Sequence, residues 1–132
     1  MNTQLTIRLF VLAFGGALGT LARYGLNGLI SARFATFPLG TMIVNISGAL
    51  AIGFIAMLTG PDGRVIVAVP MRQFLMIGIC GGYTTFSSFS LETLNLMRDG
   101  QWLAAGANAV LSVLLCLAAV FAGGAAAAAL NR

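Results

Sequence analysis

From Arg33 to Asp62, and again from Asp99 to Arg132, no charged side chain interrupts the sequence. No feature constrains the fold more. Runs of that length cannot face water, and a helix that crosses a bilayer needs about 20 mostly apolar residues. The charges divide the chain into four such stretches. The first runs from about Leu5 to Ile30 and carries Arg23 toward its far end. The second spans about Pro38 to Thr59 and ends in the turn signal TGPDGR. The third spans about Met71 to Met97 and ends at RDG; the fourth runs from about Trp102 to Leu130. Charged residues make up only 8% of the chain, where a soluble domain carries about 25%. The expected fold is an all-α integral membrane protein, residues 1–132 forming a single transmembrane domain of four helices. The N-terminal run is long, carries Arg23 and lacks a convincing cleavage site, so it reads as a span and not as a cleaved leader.

Short connections make neighbouring spans antiparallel, which puts both termini on one side. Arg8, Arg64, Arg72 and Arg132 fall on that side, and Arg23, Arg33 and Arg98 on the other. Positive residues ordinarily concentrate on the cytoplasmic side. A balance this even is what a chain inserted both ways up would show, and opposite copies could pair as an antiparallel dimer. It is also what a small chain with few charges shows by chance. Gly15 and Gly19, and again Gly78 and Gly82, are spaced four apart, a pattern that lets membrane helices approach closely.

The third stretch holds ICGGYTTFSSFSLE, Ile79 to Glu92. Paired glycines followed by two β-branched threonines are poor helix material, and CGGYTT reads as an interruption of the span. Backbone groups freed inside a bilayer must find partners or line a cavity, and unwound carbonyls often coordinate a cation. The alternative is an intact helix whose glycines pack against a neighbour. Beyond the break, Phe86, Phe89 and Glu92 or Thr93 share one helical face, with Ser87, Ser88 and Ser90 around them.

Polar residues recur on two other spans. Thr41 and Asn45 share a face of the second; Asn108, Ser112 and Cys116 form a strip along the fourth. Each could be interhelical hydrogen-bond glue. Two strips and a polar break together fit a narrow lined pathway better. That pathway offers amide and hydroxyl donors and phenyl rings, whose edges are electropositive. Glu92 is the only acid within the spans, whereas cation paths use acidic rings or relays. The residues thus point to a small anion, with Arg23 able to draw anions toward a vestibule, and to a dimer.

The stretches GGALGTLARYG, PLGTMIVNISGA, GICGGYTTFSSFSLE and the fourth-helix strip, in that order, resemble the Fluc (CrcB) fluoride channels of bacteria across nearly the whole chain. The resemblance implies a dual-topology antiparallel homodimer in the bacterial inner membrane. It also implies two pores per dimer that export fluoride passively and reject chloride, and a structural, untransported sodium ion at the dimer centre. By position, the backbone carbonyls of Gly81 and Thr84 would hold the sodium. Phe86, Phe89 and Asn45 would line the pore with Thr41, and Asn108, Ser112 and Cys116 would form its polar track. Thr85, Ser87, Ser88, Arg23 and Glu92 would support the pore or its vestibule. The chain departs from the family at Tyr83 and Ser88, and its Asn108 and Cys116 stand where tyrosine or serine is frequent.

Other classes fit less well. A small multidrug exporter needs a membrane-embedded acid, usually in its first span, and the first span here has none. A scaffold protein would leave the polar strips idle. The chain has no histidine and no nucleophile–base pair, so no enzyme is expected. The seven arginines are scattered, which argues against a nucleic-acid surface. Cys80 and Cys116 read as isolated, buried thiols.

Overall fold

The computed structural model describes residues 3–132, and among them the chain is helical with no strand. Helix α1 covers Thr3–Ser31 and α2 covers Leu39–Leu58. The third span is assembled from pieces: α3 (Val69–Gln73), a π-helical stretch (Phe74–Cys80), the short α4 (Gly81–Tyr83) and α5 (Phe86–Arg98). Helix α6 covers Trp102–Leu130. Four runs are therefore long and apolar enough to cross a membrane, with mean hydropathies of 1.8, 2.0, 1.3 and 2.4 in chain order. The third is the least apolar because it carries the hydroxyl-rich break. Large apolar side chains cover the outside, Leu103 at 89% and Phe121 at 79% exposure among them, as expected where lipid is the solvent.

Local chemistry sets the ends of these helices. Pro38 precedes α2, and Pro70 sits in the first turn of α3, where its missing N–H costs nothing. At the α5–α6 turn, Gly100 takes φ +74°. Its N–H donates to Met97 O at 3.0 Å, and Gln101 N–H donates to Leu96 O at 2.8 Å. This is the paired closure that a left-handed glycine gives a helix C-terminus.

Two seams hold the bundle together. In the first, α1 lies against the π-stretch and α4 with backbone close to backbone, and the Phe74 ring packs beside Gly15. A Cβ on Gly15 would come 3.0 Å from Gly78 Cα, and one on Gly82 would come 2.9 Å from Gly16 Cα. The two glycine pairs of the sequence therefore face each other. The second seam joins α2 to α6, where a Cβ on Gly123 would come 2.9 Å from Phe54 N. Leu50 lies beside Gly123 and Met57 beside Asn131, so these two helices run parallel. Helix α5 packs on α6 and α2, whereas α1 and α6 do not meet.

The break is narrower and later than CGGYTT suggested. Gly81–Tyr83 is still helical, and only Thr84 (φ −81°, ψ 156°) and Thr85 (φ −152°, ψ 116°) are extended. Gly82 serves close approach to α1 instead of unwinding.

Candidate functional site

The two extended threonines need hydrogen-bond partners that a helix would have supplied. Thr84 remains tied to the turn behind it: its N–H and its Oγ1–H both donate to Cys80 O, at 3.0 and 2.9 Å. Thr85 is held from α2. Asn45 Nδ2 donates to Thr85 O at 2.9 Å, and Thr85 N–H donates to Asn45 Oδ1 at 2.7 Å. One carboxamide thus satisfies both backbone groups of one residue, as a neighbouring strand would. Thr85 Oγ1 then accepts from Ser88 N–H at 3.2 Å and caps α5. Ser87 Oγ and Ser88 Oγ lie 3.1 and 3.2 Å from the same hydroxyl.

The break also frees the carbonyl of Gly82. Arg23 Nε donates to it at 3.2 Å, and Thr20 Oγ1 does so at 3.4 Å. Tyr83 turns toward α2, its hydroxyl 2.7 Å from Ser47 Oγ. The absence of a side chain at Gly48 makes room for Thr84 and for the Tyr83 ring. The carbonyls of Gly81 and Thr84 are engaged by no neighbouring side chain among the described residues.

A cleft of about 420 Å³ opens beside the break. Asn45 lines it from α2, and Gly81, Thr84 and Thr85 line it from the interruption. Phe86 and Phe89 face it from α5, and Ser112 and Cys116 from α6. The two rings lie 5.1 Å apart, tilted by 47°, and Phe86 is 74% exposed. No acidic side chain lines the cleft.

The other sequence-expected residues lie outside it. Thr41 is buried and donates to Glu92 Oε1 at 2.7 Å; Glu92 Oε2 is buried with no hydrogen-bond partner. Asn108 is 1% exposed, behind the cleft. It donates to Thr93 Oγ1 at 2.9 Å and accepts from Ser112 Oγ at 3.4 Å. The fourth-helix strip is thus split: Asn108 is interhelical glue, Cys116 faces the cleft, and Ser112 belongs to both. Arg23 does not line the cleft; it meets the break from α1, through the Gly82 carbonyl.

Sequence reading missed Thr20, Ser47 and the Tyr83 contact. Cys80, read from the sequence as an isolated, buried thiol, is buried and free, and it lines the cleft. A hydroxyl one turn after Ile43, at Ser47, was the available signal on α2.

Four apolar spans, one of them interrupted beside a cleft that sets a few polar groups in a mostly apolar lining, define a small multi-pass membrane protein. The family described as CrcB-like protein, Camphor Resistance (CrcB), matches residues 10–124, and the chain belongs to it. A protein of Rhodospirillum rubrum is 56% identical over 125 residues, covering 94% of this chain and 96% of its own. One of Opitutus terrae is 54% identical over 121 residues, covering 91% and 92%. One of Paramagnetospirillum magneticum is 54% identical over 123 residues, covering 92% and 96%. All three carry the name fluoride-specific ion channel FluC, which designates a channel and not an enzyme.

Proposed function

We propose that this chain is a fluoride channel that lets the ion leave the cell passively and so lowers its cytoplasmic concentration. One observation carries the reading: a single cleft gathers the Asn45 amide, the Thr84, Thr85 and Ser112 hydroxyls and the Phe86 and Phe89 rings beside the interrupted span, with no carboxylate among them. The names of the relatives agree with it.

Fluoride is small and strongly hydrated, so its main barrier is loss of water. Amide, hydroxyl and ring-edge donors can replace that water, provided that none holds the ion too tightly. Both ends of the Asn45 amide hold Thr85, which leaves it one N–H for the cleft. Its first task is to shape the lining and its second is to donate. Thr41, Glu92 and Asn108 brace the helices that carry the lining and extend the polar track toward the vestibule, to which Arg23, Ser87 and Ser88 also belong.

The chain works as an antiparallel homodimer with dual topology, as a multi-pass protein of the bacterial inner membrane, the break lying near the middle of the bilayer. Phe86, largely exposed on the protomer, then becomes buried between subunits. Sodium at the dimer centre fits the residues present. Among the described residues no cluster of three His, Cys, Asp or Glu could hold a metal, so the donors are backbone oxygens, which suit a hard cation. Gly81 and Thr84 would supply them, two carbonyls from each subunit. A Cβ at Gly81 would meet only Met76 O, at 3.8 Å, so the backbone there is open to approach. When bound, the ion supplies a fixed positive charge that joins the two broken helices.

Liposomes loaded with fluoride, read with a fluoride electrode beside chloride-loaded vesicles, test the proposal. Rapid fluoride loss with little chloride loss is expected. Retention of fluoride by a well-folded, sodium-supplied dimer would sink it.

A further inference from the structure

At the end of the bundle that holds Thr59 and Asn131, one arginine stands between two grooves with mostly apolar walls. The first groove lies between α2 and α6, lined by Gly53, Ala56, Val120, Phe121 and Gly124. The second lies beside the loop that follows α2, against Val67, Val69, Met76 and Ile77. Each has a volume of about 690 Å³, and they share Gly60, Pro61 and Arg72. Arg72 is held in place: its Nε donates to Thr59 Oγ1 at 3.2 Å, and that hydroxyl donates to Ile55 O at 2.7 Å. The two terminal nitrogens of the guanidinium have no partner among the described residues. Asp62 also lines the first groove but forms no ion pair with Arg72 among the described residues. Three spans end at this level. Helix α2 stops at Leu58, the third span starts at Val69, and α6 stops at Leu130, next to Asn131, which donates to Met57 O. Along α6 the first groove reaches from Ala128 back to Leu117, roughly 16 Å at about 1.5 Å per residue. Half the hydrocarbon core of a bilayer is about 15 Å deep.

We propose that Arg72 and the two grooves form a binding site for a diacyl phospholipid, with its phosphate on the guanidinium and one acyl chain in each groove. A guanidinium with both terminal nitrogens free matches two oxygens of a phosphate. Two apolar grooves that diverge from one cation match two chains that diverge from one phosphate. Thr59 already fixes the side chain, so little of its freedom is lost on binding. A small soluble anion would use the cation and leave both grooves empty. A second copy of the chain would cover the grooves without supplying a charge for Arg72. Basic pockets between membrane helices take lipid head groups in the same way. Leu117 is the one residue that the first groove shares with the cleft, and Arg72 does not line the cleft. The site therefore stands whether or not fluoride crosses the cleft.

The test uses the purified full-length protein in detergent, with dioleoyl phosphatidylglycerol as the probe and native mass spectrometry to count the lipid retained. Wild type should hold about one lipid per protomer. Dioleoylglycerol, which lacks the phosphate, and oleoyl lysophosphatidylglycerol, which lacks one chain, should each bind about tenfold more weakly or less. Inorganic phosphate should not displace the bound lipid. Arg72→Gln should weaken retention by about tenfold or more; Arg72→Lys, which keeps the charge and loses the fork, should weaken it by less. Gly124→Leu fills the first groove from its wall, and a Cβ there would meet only Gly53 O, at 3.8 Å. It too should lower retention by about tenfold. Gel filtration checks that each variant assembles as wild type does, and the series of lipids on wild type needs no variant at all. Equal retention by Arg72→Gln, or equal binding of dioleoylglycerol, would overturn the phosphate site. Equal binding of the single-chain lipid would overturn the pair of grooves. Displacement by inorganic phosphate would make Arg72 a site for any small anion and overturn the lipid. No lipid on the wild-type protein would mean that a second copy covers the grooves, and would overturn the site as well.

Discussion

The third span meets its two neighbours in opposite ways. Toward α1 it is sealed: Gly15, Gly16 and Gly19 lie against Gly78 and Gly82 so closely that backbone touches backbone. Toward α6 it stands off; only α5 makes contact there, and the space beside the break becomes the cleft. The sealed side is made by removing side chains. The open side is made by bending the chain out of helix and satisfying the bend with Asn45. Rigidity and opening thus lie back to back on one helix, so a lined cavity can exist in a bundle of only four spans.

The sealed side should break most completely. Gly19→Val places a branched side chain against the Ile79 carbonyl and the Tyr83 N–H. These are backbone atoms that cannot turn aside. Overpacking of this kind costs about 1–3 kcal/mol even where neighbours can shift, so the expected outcome is no monodisperse protein on gel filtration. A normal elution peak would mean that α1 is not clamped to the third span.

On the open side, Asn45→Asp should spare assembly and abolish transport. The carboxylate can still accept from Thr85 N–H, but it cannot donate to Thr85 O, and it puts negative charge into a cleft that has none. Fluoride efflux should fall by about a hundredfold or more, while the elution volume stays unchanged. Normal flux would place Asn45 outside the path. Phe86→Ile and Phe89→Ile sharpen the same point. Each keeps apolar bulk but loses the ring edge, so efflux should stop while the elution volume on gel filtration stays unchanged. If assembly and flux decline together, the rings are packing.

Removal of sodium by exhaustive dialysis probes the junction of the two sides, where the Gly81 and Thr84 carbonyls lie. Efflux should fall severalfold and recover when sodium is restored; full activity in sodium-free medium would remove the ion from the mechanism. The smallest effect is expected at Gly106, an exposed α6 glycine where an added Cβ would meet nothing within 4 Å. Gly106→Ala should leave transport unchanged and raise helix stability by about 1 kcal/mol, read as a small rise in melting temperature. A loss of assembly there would show that this face, too, is a seam.

The four spans were legible because charge and turn residues bound them, and the glycine pairs because their spacing is a property of one helix. The location of the break was not. Gly81 and Gly82 look like its centre by propensity, yet both remain helical, and α1 needs the bare backbone of Gly82. The extended backbone at Thr85 is satisfied by Asn45, 40 residues away in sequence, which accepts and donates there. The π-stretch over Phe74–Cys80 has no mark of its own in FLMIGIC. Asn108, Ser112 and Cys116 share a spacing of four on α6, but that period cannot say which end of the strip meets Thr93 and which meets the cleft.

Asn45 grips the main chain of Thr85, not its side chain. The instruction that shapes the third span is therefore written on α2, and α2 leaves the ribosome first. When the third span enters the membrane, the template that will bend it is already in place. The hydroxyl-rich segment does not have to find its kink unaided; it has only to arrive beside a carboxamide that is waiting for it.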